Sequence, residues 1–324
     1  MMLPHDWLTW RLSGRHVTDR GDASGTGWWS PIDETYRTDL LGEVAAELGL
    51  SPDVVVGPGT GDNMAAALGL ALAPREVTVS LGTSGTAYAV AAEPTTDSSG
   101  AVAGFADAAG GFLPLVATLN ATKVTDTVAH WLGVDVARLA AMALEVPSSS
   151  QLVLIPYFDG ERTPNLPGAA GAFPGLRNDT TRSDLARAAF TGVVNGLLDG
   201  VDALRAAGVD MEGSLRLIGG GARSPAYHQI TADLWGSPIT VHDQAEPVAT
   251  GACVQAAAVH AGTTPQDTAS SWHLDAGTRI DPTPGVDNDE LRAAFQDAAV
   301  ASHAGRAPRR RRALRGADLV ERKP

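Results

Sequence analysis

The sequence has almost no cysteine, no long apolar run and none of the common short signatures of a nucleotide grip. One cysteine, Cys253, in 324 residues excludes an internal disulfide. It falls in a small-residue stretch, 248–260, that reads as a helix, so it is expected to be a packed thiol. No eighteen consecutive apolar residues occur, and no membrane-spanning helix is expected. The first six residues lack the basic-then-apolar layout of a secretory signal, so the expected compartment is the cytoplasm. No Gly-Lys-Ser or Gly-Lys-Thr tripeptide is present, which excludes a Walker A loop. The glycines at 219–221 are consecutive rather than spaced, which excludes the dinucleotide fingerprint. No short repeat of fixed period is visible.

Positive charge is scarce and badly distributed. There are 24 Lys and Arg against 37 Asp and Glu, a net charge of −13. Residues 305–324 hold eight of the basic residues and only two of the acids, so the rest of the chain stands at −19. Such a body repels nucleic acid. The arginine run at 309–312 reads as a solvated extension.

What is present is glycine in informative places. A Gly-Pro-Gly-Thr-Gly-Asp-Asn run at 57–63 is followed by a helical stretch, 64–73, which places Asp62 at a helix N-terminus. Taken alone, Asp62 reads more readily as an N-cap. A short strand at 77–80 then runs into Ser80-Leu81-Gly82-Thr83-Ser84-Gly85-Thr86, where a tight turn can gather N–H groups and hydroxyls around an anion. Phosphate suits such a cradle. A strand at 215–218 enters Gly219-Gly220-Gly221-Ala222, followed by Arg223, Ser224, Pro225 and a helix over 226–235. Strand, glycine turn and helix start make a nucleotide site by geometry. Ser224 can cap that helix, and Pro225 suits its first position.

Other elements expected are strands at 86–91, 111–117, 151–157 and 238–241 and helices at 122–131, 182–208 and 248–262. A connector over 263–285 and a terminal helix over 289–303 follow. Strands interleaved with helices indicate an α/β layered protein. At this length more than one unit is expected.

These runs carry a resemblance. Together with Leu3 to Gly14, Asp22 to Gly27, Pro156-Tyr157, and Gly160-Glu161-Arg162-Thr163-Pro164, they resemble, in family order, the FGGY carbohydrate kinases, closest to the xylulose-phosphorylating members. A longer signature also matches: Gly171 to Leu176, Asp184-Leu185, then Ala188-Ala189-Phe190. It departs only at its last position, where Thr191 stands in place of an acid.

The resemblance implies an actin-like ATPase (ribonuclease H-like) α/β fold, with the second domain complete and the first partial. Residues 1–75 would be the rear part of the sugar-binding domain, 76–262 the ATP-binding domain, and 263–324 a connector, terminal helix and basic tail. It implies an ATP- and Mg²⁺-dependent kinase that phosphorylates a hydroxyl of a pentulose, D-xylulose first. A gluconokinase-like enzyme or a non-catalytic nucleotide binder are the alternatives.

Asp62 would be the catalytic base, with Asn63 bonding the sugar. Gly82, Thr83 and Thr86 would hold the phosphates, with Ser84 and Gly85 completing the loop. Gly219, Gly220, Gly221 and Ala222 would leave room for adenosine, with Ser224 and Gln229 at its rim. No residue is assigned to a metal. The expected partners are a small-molecule sugar and ATP, with homodimerisation left open and neither nucleic acid nor membrane involved. Complete members open with a strand and an Asp-x-Gly-Thr loop, absent from this sequence. The chain is therefore expected to lack the start of the first domain and to have little activity by itself.

Overall fold

The computed structural model describes Trp29–Ser30 and Thr35–Tyr36 together with residues 60–147, 152–242 and 246–303. The chain divides into two compact units at Gly57/Pro58. In the first, β1 (Trp29–Ser30) and β2 (Thr35–Tyr36) pair antiparallel, with Trp29 opposite Tyr36. The family-matching runs before residue 28, the start of the first glycine run and the basic tail lie outside the described residues.

The second unit is built on a seven-stranded sheet. Its strands are β3 (Val77–Leu81), β4 (Gly85–Ala89), β5 (Ala103–Ala106), β6 (Phe112–Thr118), β7 (Leu215–Ile218), β8 (Ile239–Val241) and β9 (Thr278–Ile280), in the spatial order β5-β6-β4-β3-β7-β8-β9. β3, β7 and β8 run parallel, while β4, β5, β6 and β9 each pair antiparallel with their neighbours. The helices are α1 (Asp62–Gly69), α2 (Thr122–Leu132), α3 (Val136–Leu144), α4 (Arg182–Ala206), α5 (Pro225–Trp235), α6 (Pro247–Ala261), α7 (Pro265–Ser271) and α8 (Asn288–His303).

The period of two along the strands decides what each face meets. Val77, Val79 and Leu81 of β3, Ala87 and Ala89 of β4, and Leu215 and Leu217 of β7 all point into one core. There they meet Phe190, Val193, Leu197 and Val201 of α4 and Ile230 of α5. The alternate residues face α1: Ile218 packs on Ala66 and Leu70, and Tyr88 packs on Ala67. With helices on both faces the central strands are buried along nearly their whole length, while their apolar residues alternate with Thr78, Ser80, Thr86 and Arg216, and that alternation makes them legible. The long helix α4 opens with a reciprocal capping box. Thr181 Oγ1 accepts from the Asp184 amide, and Asp184 Oδ2 accepts from the Thr181 amide at 2.8 Å. Thr191, at the signature's variant position, lies within α4 and accepts from Asn195 Nδ2 through its carbonyl.

Several expectations need correction. α1 begins at Asp62 rather than residue 64 and ends at Gly69, because the chain turns at Leu70 and Ala71 takes a φ of 46°. The strand expected over 151–157 does not form among the described residues. Pro156 cannot donate to a ladder, and only an isolated bridge joins Ile155 to Ala172. The connector contains α7 and β9. Thr264 caps α7, accepting from the Asp267 amide at 3.1 Å, with Pro265 in its first turn. α3, unread in the sequence, is capped by Asp135, whose Oδ1 accepts from the Arg138 amide at 2.7 Å. Cys253 is exposed, because α6 turns Gly251, Val254, Gln255 and Ala258 inward, which puts Cys253 on the outer side.

Candidate active site

The two glycine loops lie side by side because β3 and β7 are adjacent and parallel, with Ser80 opposite Ile218. Both loops therefore leave the same edge of the sheet, the carboxyl ends, where open α/β sheets hold ligands. Gly219 has a φ of 92°, and a Cβ there would stand 2.7 Å from the Leu81 carbonyl oxygen. At Gly221 a Cβ would meet Thr122 Cγ2 at 2.7 Å and Leu81 Cβ at 2.8 Å. Glycine is thus required for the second loop to lie against the first.

A cavity of about 480 Å³ joins the first run to the third. Asp62, Asn63, Ser80, Tyr88, Gly219 and Gly220 are among its walls, and Ala222 also lines it. A neighbouring cavity of about 810 Å³ is walled by Gly82, Thr83, Gly221, Ser224, Phe190 and Tyr227, and Gly220 and Arg223 border both. The smaller chamber therefore presents Asp62 and Glu246, and the other a largely apolar-walled glycine cradle with Asp126 on its wall, with shared residues between them.

Asp62 is exposed, and its Oδ1 accepts from the Asn63 amide at 2.8 Å and from Asn63 Nδ2 at 2.9 Å. The N-cap position belongs to Gly61, so Asp62 does not cap α1 with its side chain. Asn63 Oδ1 in turn accepts from Thr86 Oγ1 at 3.2 Å. Thr86 lies on the sheet face toward α1, two residues before Tyr88, so its hydroxyl is joined to Asn63 and lines neither cavity. Ser84 is exposed at the tip of the β3–β4 turn. Gly85 packs on α4, where a Cβ would stand 2.4 Å from Leu197 Cδ2.

Ser224 occupies the N-cap position of α5 but makes no capping bond there. Its Oγ is buried without a hydrogen-bond partner among the described residues. A buried hydroxyl of this kind, on the wall of the glycine cradle, fits a bound polar group. Gln229 is placed elsewhere. Its Nε2 donates to Asp233 Oδ1 at 2.9 Å, the Asp281 carbonyl at 3.1 Å and Thr283 Oγ1 at 3.0 Å, and it lines a separate cavity. Among the described residues no group of three or more His, Cys, Asp or Glu side chains converges on one point. Asp62 and Glu246 are the carboxylates on the smaller cavity.

One lining residue carries no sequence signal. His242 follows β8 and backs onto a buried cluster. Arg216 grips Glu76 with Nε and Nη2, at 3.0 and 2.9 Å, while its Nη1 donates to His242 Nε2 at 2.8 Å and to the Asp275 carbonyl at 3.0 Å. A guanidinium can only donate, so His242 Nε2 accepts and the ring proton sits on Nδ1. Burial first, and the Arg216 charge second, push the imidazole from 6.5 to about 4. The unfolded chain takes up this proton near pH 6.5 and the folded one only near 4. The histidine therefore contributes stability above pH 6.5 that is lost as pH falls toward 4. His242→Gln, which keeps an acceptor for Arg216, should flatten the fall in melting temperature over that window. A variant that melts with the wild-type pH slope would refute this.

The comparisons with known proteins agree with the geometry. The C-terminal domain of the FGGY family of carbohydrate kinases matches residues 77–260. The xylulose kinase of Streptomyces coelicolor is 44% identical over 310 residues, covering 89% of this chain and 62% of the relative. Among solved structures, the xylulose kinase from Bifidobacterium adolescentis is 33% identical with a TM-score of 0.65, covering 92% of this chain and 67% of that one. The gluconate kinase from Lactobacillus acidophilus, 21% identical with a TM-score of 0.74, shares the fold, covering 93% of this chain and 67% of that one. The chain belongs to the FGGY family of carbohydrate kinases and has their actin-like fold. It spans about 62% of the length of the Streptomyces coelicolor relative.

Proposed function

We propose that this chain supplies the nucleotide cradle and the proton acceptor of an ATP-dependent sugar kinase that phosphorylates a hydroxyl of a pentulose, D-xylulose first. The observation that supports this most is the single cavity that carries Asp62 and Asn63 at one side and Gly219, Gly220 and Ala222 at the other. The 44% identity to a xylulose kinase favours D-xylulose over gluconate.

ATP supplies the phosphoryl group, and Mg²⁺ neutralises its charge. The residues present suit both: a largely apolar-walled glycine cradle with a Ser224 hydroxyl unpaired among the described residues for the nucleotide, and Asp62 and Glu246 on the smaller cavity, whose carboxylates would face a phosphate-bound cation. Asp62 takes the proton of the attacking sugar hydroxyl as its oxygen bonds to phosphorus, and ADP departs. Asn63, fixed by Thr86, orients that hydroxyl. Gly82 and Thr83 present backbone N–H groups to the phosphates, and the Gly219–Ala222 turn leaves room for the adenosine. Residues 1–75 correspond in this reading to the rear of the sugar-binding domain, although α1 packs with the second unit. A cytoplasmic setting accompanies it, with no nucleic-acid or membrane partner.

The experiment is a chimaera in which this chain replaces the matching part of the Streptomyces coelicolor xylulose kinase. It is assayed by coupled ADP release with ATP, Mg²⁺ and a panel of D-xylulose, D-gluconate and glycerol. Turnover on D-xylulose is the expected result. Preference for another sugar would correct the substrate, and no turnover in a folded chimaera would reject the kinase reading. Separately, titration calorimetry on the 324-residue chain should show ADP binding, since the cradle lies wholly in the second unit. Absence of binding to folded protein would remove the nucleotide site.

A further inference from the structure

The Gly-Glu-Arg-Thr-Pro run at 160–164 plays no part in the chemistry above, yet its glutamate is among the most buried acids of the described residues. Glu161 is 3% exposed and has no ion-pair partner among the described residues. Its carboxylate is held by amide groups alone. Oε1 accepts from the Leu119 amide at 2.6 Å and the Arg162 amide at 2.7 Å, and Oε2 accepts from Asn120 Nδ2 at 2.9 Å. Asn120 Nδ2 also donates to the Gly160 carbonyl at 2.7 Å, and Thr163 Oγ1 donates to the Ala117 carbonyl at 3.2 Å. The run thus clamps the segment 117–120 that leads from β6 into α2.

That segment holds the first glycine loop in its turn. The Thr122 amide donates to the Gly82 carbonyl at 3.0 Å, and the Ala121 amide donates to the Thr83 carbonyl at 3.3 Å. Thr118 Oγ1 donates to the Gly85 carbonyl at 3.4 Å. Three carbonyls of the loop are therefore held by this segment. A buried carboxylate without a counter-charge is a costly way to tie down a loop. Its advantage is geometric, because only an acceptor-only group can satisfy three convergent N–H donors at once.

We propose that Glu161 is a positioning residue for the nucleotide loop, acting through the 117–122 segment on Gly82, Thr83 and Gly85. The proposal rests on the nucleotide reading of that loop given above. A glutamine here must turn its NH₂ either toward Asn120 Nδ2 or toward the Leu119 and Arg162 amides. In both cases a donor faces a donor, and the clamp opens at that point.

The test uses the 324-residue chain and ADP as the probe. Glu161→Gln should bind ADP about tenfold more weakly by calorimetry. In the unliganded protein it should also raise the hydrogen-exchange rate of the Ala121 and Thr122 amides about tenfold. Asn120→Ala should act in the same direction, and the double variant should be no weaker than the worse single one, since both act along one path. Val201→Ala, a core truncation in α4, should lower the melting temperature while leaving both readouts at wild-type values. Wild-type ADP affinity in a folded Glu161→Gln protein would overturn the proposal. So would unchanged exchange at those two amides, whatever the nucleotide result, and Asn120→Ala serves as the same test if the first variant does not fold. Failure of the wild-type chain to bind ADP would instead count against the nucleotide reading itself.

Discussion

Asp62→Asn in the chimaeric kinase lowers turnover on D-xylulose by about a hundredfold or more, the scale of a lost general base, and leaves ADP affinity within about twofold. The split follows from where the side chain sits. Asp62 heads α1 on the wall of the smaller cavity, while Gly82, Thr83 and Gly221 belong to the larger one. An asparagine keeps the shape and still accepts from the Asn63 amide through its Oδ1, so α1 is not disturbed. It cannot take a proton at neutral pH. The measurement is the coupled ADP-release rate at saturating ATP beside a calorimetric ADP titration. A variant with wild-type turnover would return Asp62 to a structural role at the start of α1. A variant that lost ADP binding as well would mean that the two cavities are not functionally separate.

The strands that carry the glycine loops, and a helix start near Asp62, are legible in the sequence because each depends on local chemistry. Residues 215–218 are a strand as read, and Gly219 and Gly221 after it are forced by contact with Leu81. What is not legible depends on register and on distant partners. Thr86 reads as a phosphate contact by its place in a run. The pairing of β3 with β4 turns it to the α1 face, where it meets Asn63. Gln229 reads as part of the nucleotide rim because it follows Ser224 closely. The residues that claim it, Asp281 and Thr283, lie just after β9, in a stretch that reads as a connector. His242 lines the cavity only because β8 extends the parallel set beside β7, which no local pattern announces. A contact between distant elements shows the same limit: α1 packs on α6, almost two hundred residues later, which no local pattern announces.

That joining leads to the second large effect: Gly251→Ala cuts turnover on D-xylulose about a hundredfold and destabilises the fold by about 1–3 kcal/mol. α1 and α6 cross with their backbones in contact. A Cβ built at Gly251 stands 1.9 Å from the Ala65 carbonyl oxygen, and one at Gly69 stands 2.0 Å from that of Pro247. Ordinary contact begins near 3.4 Å, so even a methyl group must drive the helices apart by more than an ångström. No side chain can yield, because the colliding atoms are main chain. Asp62 lies at the first turn of α1, and Pro247 and Val248, at the start of α6, line the same cavity, so separation of the helices moves the proton acceptor relative to the cradle. A displacement of about 1 Å is enough to cost two orders of magnitude in a reaction that depends on alignment. Both helices pack away from Gly82, Thr83 and Gly221, so ADP affinity should fall much less than turnover. Thermal melting, calorimetry with ADP and the coupled assay on the chimaera separate these effects. A folded Gly251→Ala enzyme with wild-type turnover would show that the crossing can open without moving Asp62. A loss of ADP binding equal to the loss of turnover would show that the strain spreads through the sheet instead of staying at α1.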